Sequence, residues 1–374
     1  MKIAFYCPNK PLDHPHPSGD LVIAKGLRQT LAALGHECEE IVRFRTRWFW
    51  KSPQGWTALV GACAEACRRT WMFRPDLWLT YHSYYKSPDT VGPWISGLFG
   101  IPYVLFQPMY ATSRRKKPGT RLGFYMNRLA LKACRHVFLN NMDDLEAMKR
   151  AVPRVRIDYI PPGILPDDFQ RNEAHGRSVR RKYGLSDDAP LLMTAARFRP
   201  GVKVQSLEYL FGSLSLLLVP PEMPFRLLVA GDGPMEQEVK SLARRLLPGR
   251  VVFTGRVPRE EMARYYSAAD LFVFPGIGES LGMVFLEAQA CGLPVVALDT
   301  AGVPQVVQHG KTGLLVPEDG GRAMAEAVRE LVGNPGLHAT LAHNAMDFVQ
   351  KERNLLKNYQ ALSKSLEELV KARH

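Results

Sequence analysis

The chain has 374 residues, 46% apolar and 23% charged, ordinary values for a soluble globular protein with room for two domains. Its 49 basic against 36 acidic residues leave +13, and residues 1–163 carry 24 against 12 of these, whereas 164–374 carry 25 against 24. Such asymmetry points to an anionic partner for the first half; the composition disfavours disordered and fibrous classes, and no run of about 18 apolar residues predicts a spanning helix.

The opening Met1-Lys2-Ile3-Ala4-Phe5-Tyr6-Cys7-Pro8 is too short an apolar stretch for a signal peptide and predicts a buried strand over 2–6. Apolar, β-branched runs at 77–80, 103–106, 136–139 and 157–160 predict further strands, with amphipathic stretches at 21–34 and 123–133. A Pro/Gly-rich segment, Tyr159–Phe169, predicts a hinge. A second series of strands follows at 191–195, 226–230, 251–254, 271–274 and 295–298, with helical patterns at 235–246 and 322–332. Residues 345–374 predict one long helix or a kinked pair, packing back on the first domain. This alternation predicts an α/β protein: two Rossmann-like, doubly wound domains, 1–163 and 164–344, facing a deep cleft. The scattered Cys7, Cys38, Cys63, Cys67, Cys134 and Cys291 read as buried reduced thiols of a cytoplasmic protein, without four clustered ligands for zinc.

The most informative stretch is Phe274-Pro275-Gly276-Ile277-Gly278-Glu279-Ser280-Leu281-Gly282-Met283-Val284-Phe285-Leu286-Glu287-Ala288. A strand ends, a Gly/Pro loop carries Glu279, and a helix opening near Met283 carries Glu287 eight residues on. A helix start offers free N–H groups and a positive dipole end to phosphate. The two carboxylates could then accept from sugar hydroxyls on either side; the plainer alternative is a capping carboxylate and an ordinary surface glutamate. Arg197 and Lys203, six residues apart after the strand 191–195, suit a diphosphate. The turn Gly231-Asp232-Gly233-Pro234 and the strand end Gly255-Arg256-Val257 complete four features at strand ends.

In this order the features resemble glycosyltransferase family 4, the retaining group 1 nucleotide-sugar enzymes of GT-B fold. The family's E-x7-E motif matches Glu279 and Glu287, followed by Cys291-Gly292-Leu293-Pro294-Val295, Gly302-Val303-Pro304 and Gly310-Lys311-Thr312-Gly313. The resemblance is specific over roughly 190–320 and looser before 170. It implies an acceptor-binding first domain and a donor-binding second one. Glu287 would hold the ribose, Glu279 would face the transferred sugar, and Arg197 and Lys203 would stabilise the leaving diphosphate with the N–H groups of Met283 and Val284. Gly19 would approach the phosphate from the first domain, and Val257 would touch the base through its backbone. Glu279, Arg197 and Lys203 are thus the implied catalytic residues, with no cofactor and no metal. The reaction implied is transfer of a hexosyl group to a lipid-linked or polysaccharide acceptor of the cell envelope. A sugar-nucleotide epimerase of the same fold, or transfer to a small soluble acceptor, is the alternative.

Where relatives carry a His after the strand 103–106, this chain has Gln107-Pro108-Met109-Tyr110. Its acceptor-side candidates are therefore His82, Gln107 and Tyr110. His14 and His16 sit in the Pro-rich first loop, and Ser18-Gly19 stands where Gly-Gly is expected. Two basic clusters, Arg43–Lys51 with interleaved Phe and Trp, and Arg114-Arg115-Lys116-Lys117 with Arg121, predict peripheral attachment to an anionic cytoplasmic membrane face. A buried aromatic segment flanked by solvated arginines is the alternative for the first. No nucleic-acid motif accompanies the charge, so nucleic acid is not an expected partner.

Overall fold

Parallel strands covered by helices on both faces need apolar residues on both sides, and that is how β3, β4, β5, β7 and β11 below read and pack: every residue in them is buried. The computed structural model describes residues 1–14, 19–186 and 188–372. One unit holds Met1–Pro162 with Leu355–His374, the other Gly163–Asn354.

The first unit runs β1 (Lys2–Tyr6), α1 (Gly19–Ala33), β2 (Glu37–Glu40), α2 (Pro53–Phe73), β3 (Leu77–Tyr81), α3 (Gly92–Phe99), β4 (Tyr103–Phe106), α4 (Pro118–Ala133), β5 (His136–Leu139), α5 (Leu145–Ala151) and β6 (Arg156–Tyr159). Its strands lie parallel in the order β2-β1-β3-β4-β5-β6, so the winding direction reverses between β1 and β3. Leu27 and Leu31 of α1 pack on one face of the sheet. Ala62, Ala66 and Phe73 of α2, Ile95 of α3 and Ala130 and Leu131 of α4 pack on the other. Ser52 starts α2 by accepting the Gly55 N–H on its side chain, with Pro53 in the first turn. Asp89, wholly buried, starts α3 by accepting the N–H groups of Val91 and Gly92, while Thr80 and Tyr103 donate hydroxyls to its other oxygen.

The second unit runs α6 (Glu173–Lys182), β7 (Leu191–Ala195), α7 (Val202–Ser215), β8 (Arg226–Ala230), α8 (Glu236–Leu246), β9 (Val251–Gly255), α9 (Met262–Ala268), β10 (Leu271–Val273), α10 (Met283–Ala290), β11 (Val295–Leu298), β12 (Gly313–Val316), α11 (Arg322–Gly333) and α12 (Pro335–Glu352). The parallel order β12-β11-β10-β7-β8-β9 reverses between β7 and β10.

The last helix, α13 (Leu355–Lys371), returns to the first unit, where Tyr359, Leu362 and Leu366 join the core beneath α1. The expected return of the whole segment 345–374 needs correction. Ala345, Phe348 and Val349 are buried in α12, the last two in the core of the second unit. The break falls at Arg353, whose carbonyl accepts from Ile164 N–H (3.0 Å) and whose guanidinium donates to the Gln305 carbonyl (2.9 Å). That carbonyl is therefore committed outside the helix, and α12 stops.

Candidate functional site

Doubly wound sheets bind ligands beyond the carboxyl ends of their strands, where the winding reverses. In the second unit that place lies between β7 and β10; the loop leaving β7 carries Arg197 and leads to Lys203, and the loop leaving β10 carries Glu279. Lys203, in the first turn of α7, forms an ion pair with Glu279 from the loop before α10. Its ammonium lies 5.7 Å from the centre of the Phe274 ring. Burial first, and Arg199 second, push that ammonium down to about 8, while the Glu279 carboxylate against it acts in the opposite sense.

The loop around Glu279 is tied at several points. Ile277 N–H donates to Ser206 Oγ of α7 (3.1 Å), and Gly302 N–H donates to the Glu279 carbonyl (3.0 Å). A Cβ on Gly302 would fall 1.5 Å from the Ser280 carbonyl oxygen, so only glycine allows this approach. Gly282 adopts φ 66° and turns the chain into α10. Met283 and Val284 then present first-turn N–H groups, which have no acceptor within the helix. Arg197, two residues beyond β7, pairs with Asp232 of the Gly231-Asp232-Gly233 turn after β8 (3.3 Å). Val257, half-buried, follows β9 and packs against the core.

Glu287 is not a surface glutamate. It is 6% exposed, and its two oxygens accept from Arg259 Nε (3.2 Å) and Tyr266 Oη (3.1 Å). Burial raises its carboxyl above the usual range, and Arg259 is the main opposing influence. Arg259 also faces Asp168 (3.5 Å) and stacks on Phe169 (4.7 Å). Arg259, Tyr266 and Asp168 escaped the sequence reading. A carboxylate within the apolar run Met283–Ala290 was the signal that a cation must lie near, but not where in the chain.

In the first unit the winding reverses between β1 and β3. The loop after β3 carries His82, and the loop after the neighbouring β4 carries Gln107. Both residues adopt left-handed backbone conformations, with φ 62° and 50°. The His82 Nδ1 lies 3.2 Å from the Gln107 carbonyl. A carbonyl only accepts, so Nδ1 carries a proton and donates it. The Gln107 amide is engaged at both ends: Nε2 donates to Asp144 (2.7 Å) and Oε1 accepts from Asn140 N–H (2.7 Å). Burial raises the Asp144 carboxyl, with the Gln107 bond and His82 opposing. Tyr110 is half-buried with its ring 5.4 Å from that of Phe124. Gly19 opens α1; His16 and Ser18 lie outside the described residues, and His14 lies in the loop before them. Among the described residues no group of three or more His, Cys, Asp or Glu side chains is placed to hold a metal ion.

The aromatic members of Arg43–Lys51 pack inward. Phe49 is buried, and Phe44, Trp48 and Trp50 are half-buried in edge-on contacts with it or with one another. Arg114 stacks on Tyr85 (4.8 Å), while Arg115, Lys116 and Lys117 are exposed.

Residues 189–334 match the family described as "Glycosyl transferases group 1". The GDP-mannose-dependent alpha-(1-6)-phosphatidylinositol monomannoside mannosyltransferase of Mycobacterium tuberculosis is 33% identical over 193 residues, 48% of each chain. The D-inositol 3-phosphate glycosyltransferase of Thermobispora bispora is 28% identical over 74% of this chain and 67% of its own. The chain spans about half the length of several curated relatives it matches. Among solved structures, sucrose-phosphate synthase from Thermosynechococcus elongatus has a TM-score of 0.75 at 20% identity, over 100% of this chain and 98% of its own. Anabaena HepE in complex with UDP has a TM-score of 0.75 at 18% identity, over 98% and 100%. The two Rossmann-like domains of this chain thus have the GT-B architecture.

Proposed function

We propose that the protein is a glycosyltransferase that moves a sugar from a nucleoside-diphosphate donor to a lipid-linked or glycan acceptor of the cell envelope. The observation that carries this reading is the convergence of Lys203, Glu279 and the start of α10 where the winding of the second sheet reverses. The match of this segment to group 1 glycosyl transferases supports it. So do a relative whose name specifies GDP-mannose and a phosphatidylinositol mannoside, and a structural neighbour holding UDP.

The C1–O bond to the diphosphate breaks as charge develops on the leaving phosphate. Arg197, Lys203 and the N–H groups of Met283 and Val284 neutralise that charge in place, so the step draws on fixed cations and a helix dipole rather than a metal. Glu279 orients Lys203 and faces the sugar. Glu287, held by Arg259 and Tyr266, keeps lone pairs for ribose hydroxyls, and the Val257 backbone meets the base. The acceptor oxygen bonds C1 on the face the diphosphate leaves, which retains configuration, and its proton passes to the departing phosphate oxygen. In the first unit, His82 serves as the acceptor-side imidazole in place of the residue that Gln107 replaces. The positive first unit suits attachment to an anionic membrane surface on the cytoplasmic side.

Thermal unfolding with UDP, GDP, ADP and CDP identifies the base, because a ligand that binds only the folded state raises its midpoint. The matching nucleotide sugar, incubated without acceptor, then yields nucleoside diphosphate slowly and a sugar of unchanged identity. A changed sugar indicates an epimerase, and no shift with any nucleotide refutes the donor site.

A further inference from the structure

The helices on one face of the first sheet have outer surfaces that water alone does not explain. The face of α2 away from the sheet carries Trp56, Val60, Ala64 and Trp71, at i, i+4, i+8 and i+15, all exposed; Val60 is 70% and Trp71 66% exposed. This stripe runs about 22 Å along the helix at 1.5 Å per residue. Next to α2, α3 exposes Trp94 and Leu98. The segment containing α3, Val91–Pro102, has no charged residue. Next to α3, α4 exposes Arg121, Tyr125, Arg128, Leu129 and Lys132, at i, i+4, i+7, i+8 and i+11 of a single face.

The exposed charge on the α3 and α4 part of this surface has one sign; the acid of α2, Glu65, faces Arg69. From Lys86 to Met142 there are nine Lys and Arg residues and a single acid, Asp89, which is buried at the start of α3. Contiguous exposed apolar surface on this scale marks an interaction site. Protein–protein interfaces are depleted of lysine, whereas here Lys132 shares one helix face with Tyr125 and Leu129. Tryptophan beside uncompensated Arg and Lys is the combination that settles at a bilayer surface: rings at the headgroup level, cations against anionic lipid.

We propose that α2, α3 and α4 together form a docking surface for an anionic membrane, with Trp71, Trp94 and Leu129 entering the headgroup layer and Arg121, Arg128 and Lys132 facing its phosphates. This rests on the lipid-linked acceptor reading above and locates the contact. It differs from the expectation from Arg43–Lys51, whose aromatic rings are turned into the fold.

Co-sedimentation of the full chain with phosphatidylcholine vesicles, with and without phosphatidylglycerol, tests it. Binding to the anionic vesicles exceeds binding to the neutral ones by at least about tenfold and weakens as salt is raised. Trp71→Glu with Leu129→Glu, and separately Arg121→Glu with Arg128→Glu, each lower it by at least about tenfold. All four positions are exposed and outside the donor site, so the unfolding midpoint and its shift with nucleotide stay at wild-type values in both variants. Equal binding to both vesicle types, or variants that sediment like the wild type, overturns the proposal. So does a lipid-free dimer, seen by light scattering, that Trp71→Glu dissociates: the occupant would then be a second copy. A nucleotide shift with no vesicle binding overturns the surface alone; vesicle binding with no nucleotide shift overturns the donor site alone.

Discussion

Arg259→Met removes the cation from a buried carboxylate, together with its weaker pairing with Asp168 and its stacking on Phe169. Glu287 is 6% exposed, with Arg259 Nε and Tyr266 Oη on its two oxygens, so the variant leaves a carboxylate with one neutral donor inside the core. Breaking a fully buried pair costs about 3–5 kcal/mol, but over a third of the Arg259 side chain reaches water, so about 1–3 kcal/mol is expected here. For a unit of this size that lowers the unfolding midpoint by about 2–10 °C. The pH dependence separates this cause from lost packing. Burial already raises the Glu287 carboxyl against the pull of Arg259. A carboxyl with a raised folded pKa binds more protons folded than unfolded. The stability it contributes is complete below its unfolded value of about 4.3 and is lost as pH rises through the folded value. Without Arg259 the folded value climbs further, so the deficit of the variant is small at acid pH and widens towards neutrality. Unfolding measured across that range, for Arg259→Met, Glu287→Gln and the double variant, completes a double-mutant cycle. The reasoning is refuted if Arg259→Met costs as much in the Glu287→Gln background and its deficit is flat with pH. The same variant should lose about tenfold in nucleotide affinity while pyrophosphate binds as before, since only the carboxylate that meets the ribose loses the donor that fixes and ionises it.

Lys203→Ala should depress turnover more than donor affinity, because its charge meets the diphosphate most strongly as the bond breaks. With its ammonium pushed down to about 8, Lys203 is partly neutral above that pH, so nucleotide binding takes up a proton there and weakens as pH rises. Titration calorimetry in buffers of different ionisation enthalpy detects the uptake, and Lys203→Arg abolishes it because arginine keeps its proton. Gly302→Ala drives a methyl group to 1.5 Å from the Ser280 carbonyl oxygen and displaces the loop bearing Glu279. Nucleotide-induced stabilisation is expected to vanish, and an unchanged shift would separate Gly302 from the site.

Much of the fold was legible because its central strands are uninterrupted apolar runs, such as Leu191–Ala195 and Val295–Leu298, that no other element explains. Two edge strands, β2 and β12, were not. β2 reads Glu37-Cys38-Glu39-Glu40, a strand whose carboxylates are met by Leu12 N–H at Glu40 and by Arg69 at Glu39, contacts far away in sequence. β12 begins with Gly313, where any Cβ would strike the Val295 carbonyl 2.3 Å away. In the candidate site, Lys203 and Glu279 were identifiable by their positions after neighbouring strands. The partner of Glu287 was not, since Arg259 lies 28 residues upstream and reaches it only through the packing of α9 against α10.

Charge and exposure differ in how far a sequence carries them. Net charge is a sum, so the positive first half is evident from composition alone. Exposure depends on which helix face meets the sheet, and here that reversed the apparent order of two aromatic segments. Arg43–Lys51, dense in Trp and Phe, lies against Trp56 and the start of α2, where Phe49 sits at the centre of edge-on ring contacts. Gly123 of α4 fits beside Trp50 because a Cβ there would approach the ring within 2.6 Å. These rings close the junction between the loop after β2 and the helices behind it, and their arginines reach water. The tryptophans at 71 and 94 have no such junction to fill: the inner faces of α2 and α3 are satisfied by Ala62, Ala66, Phe73 and Ile95. A helix whose sheet-facing stripe is complete and whose opposite stripe still carries Trp, Val and Trp needs a second apolar surface. The uncompensated cations of α4 beside it select a negatively charged one.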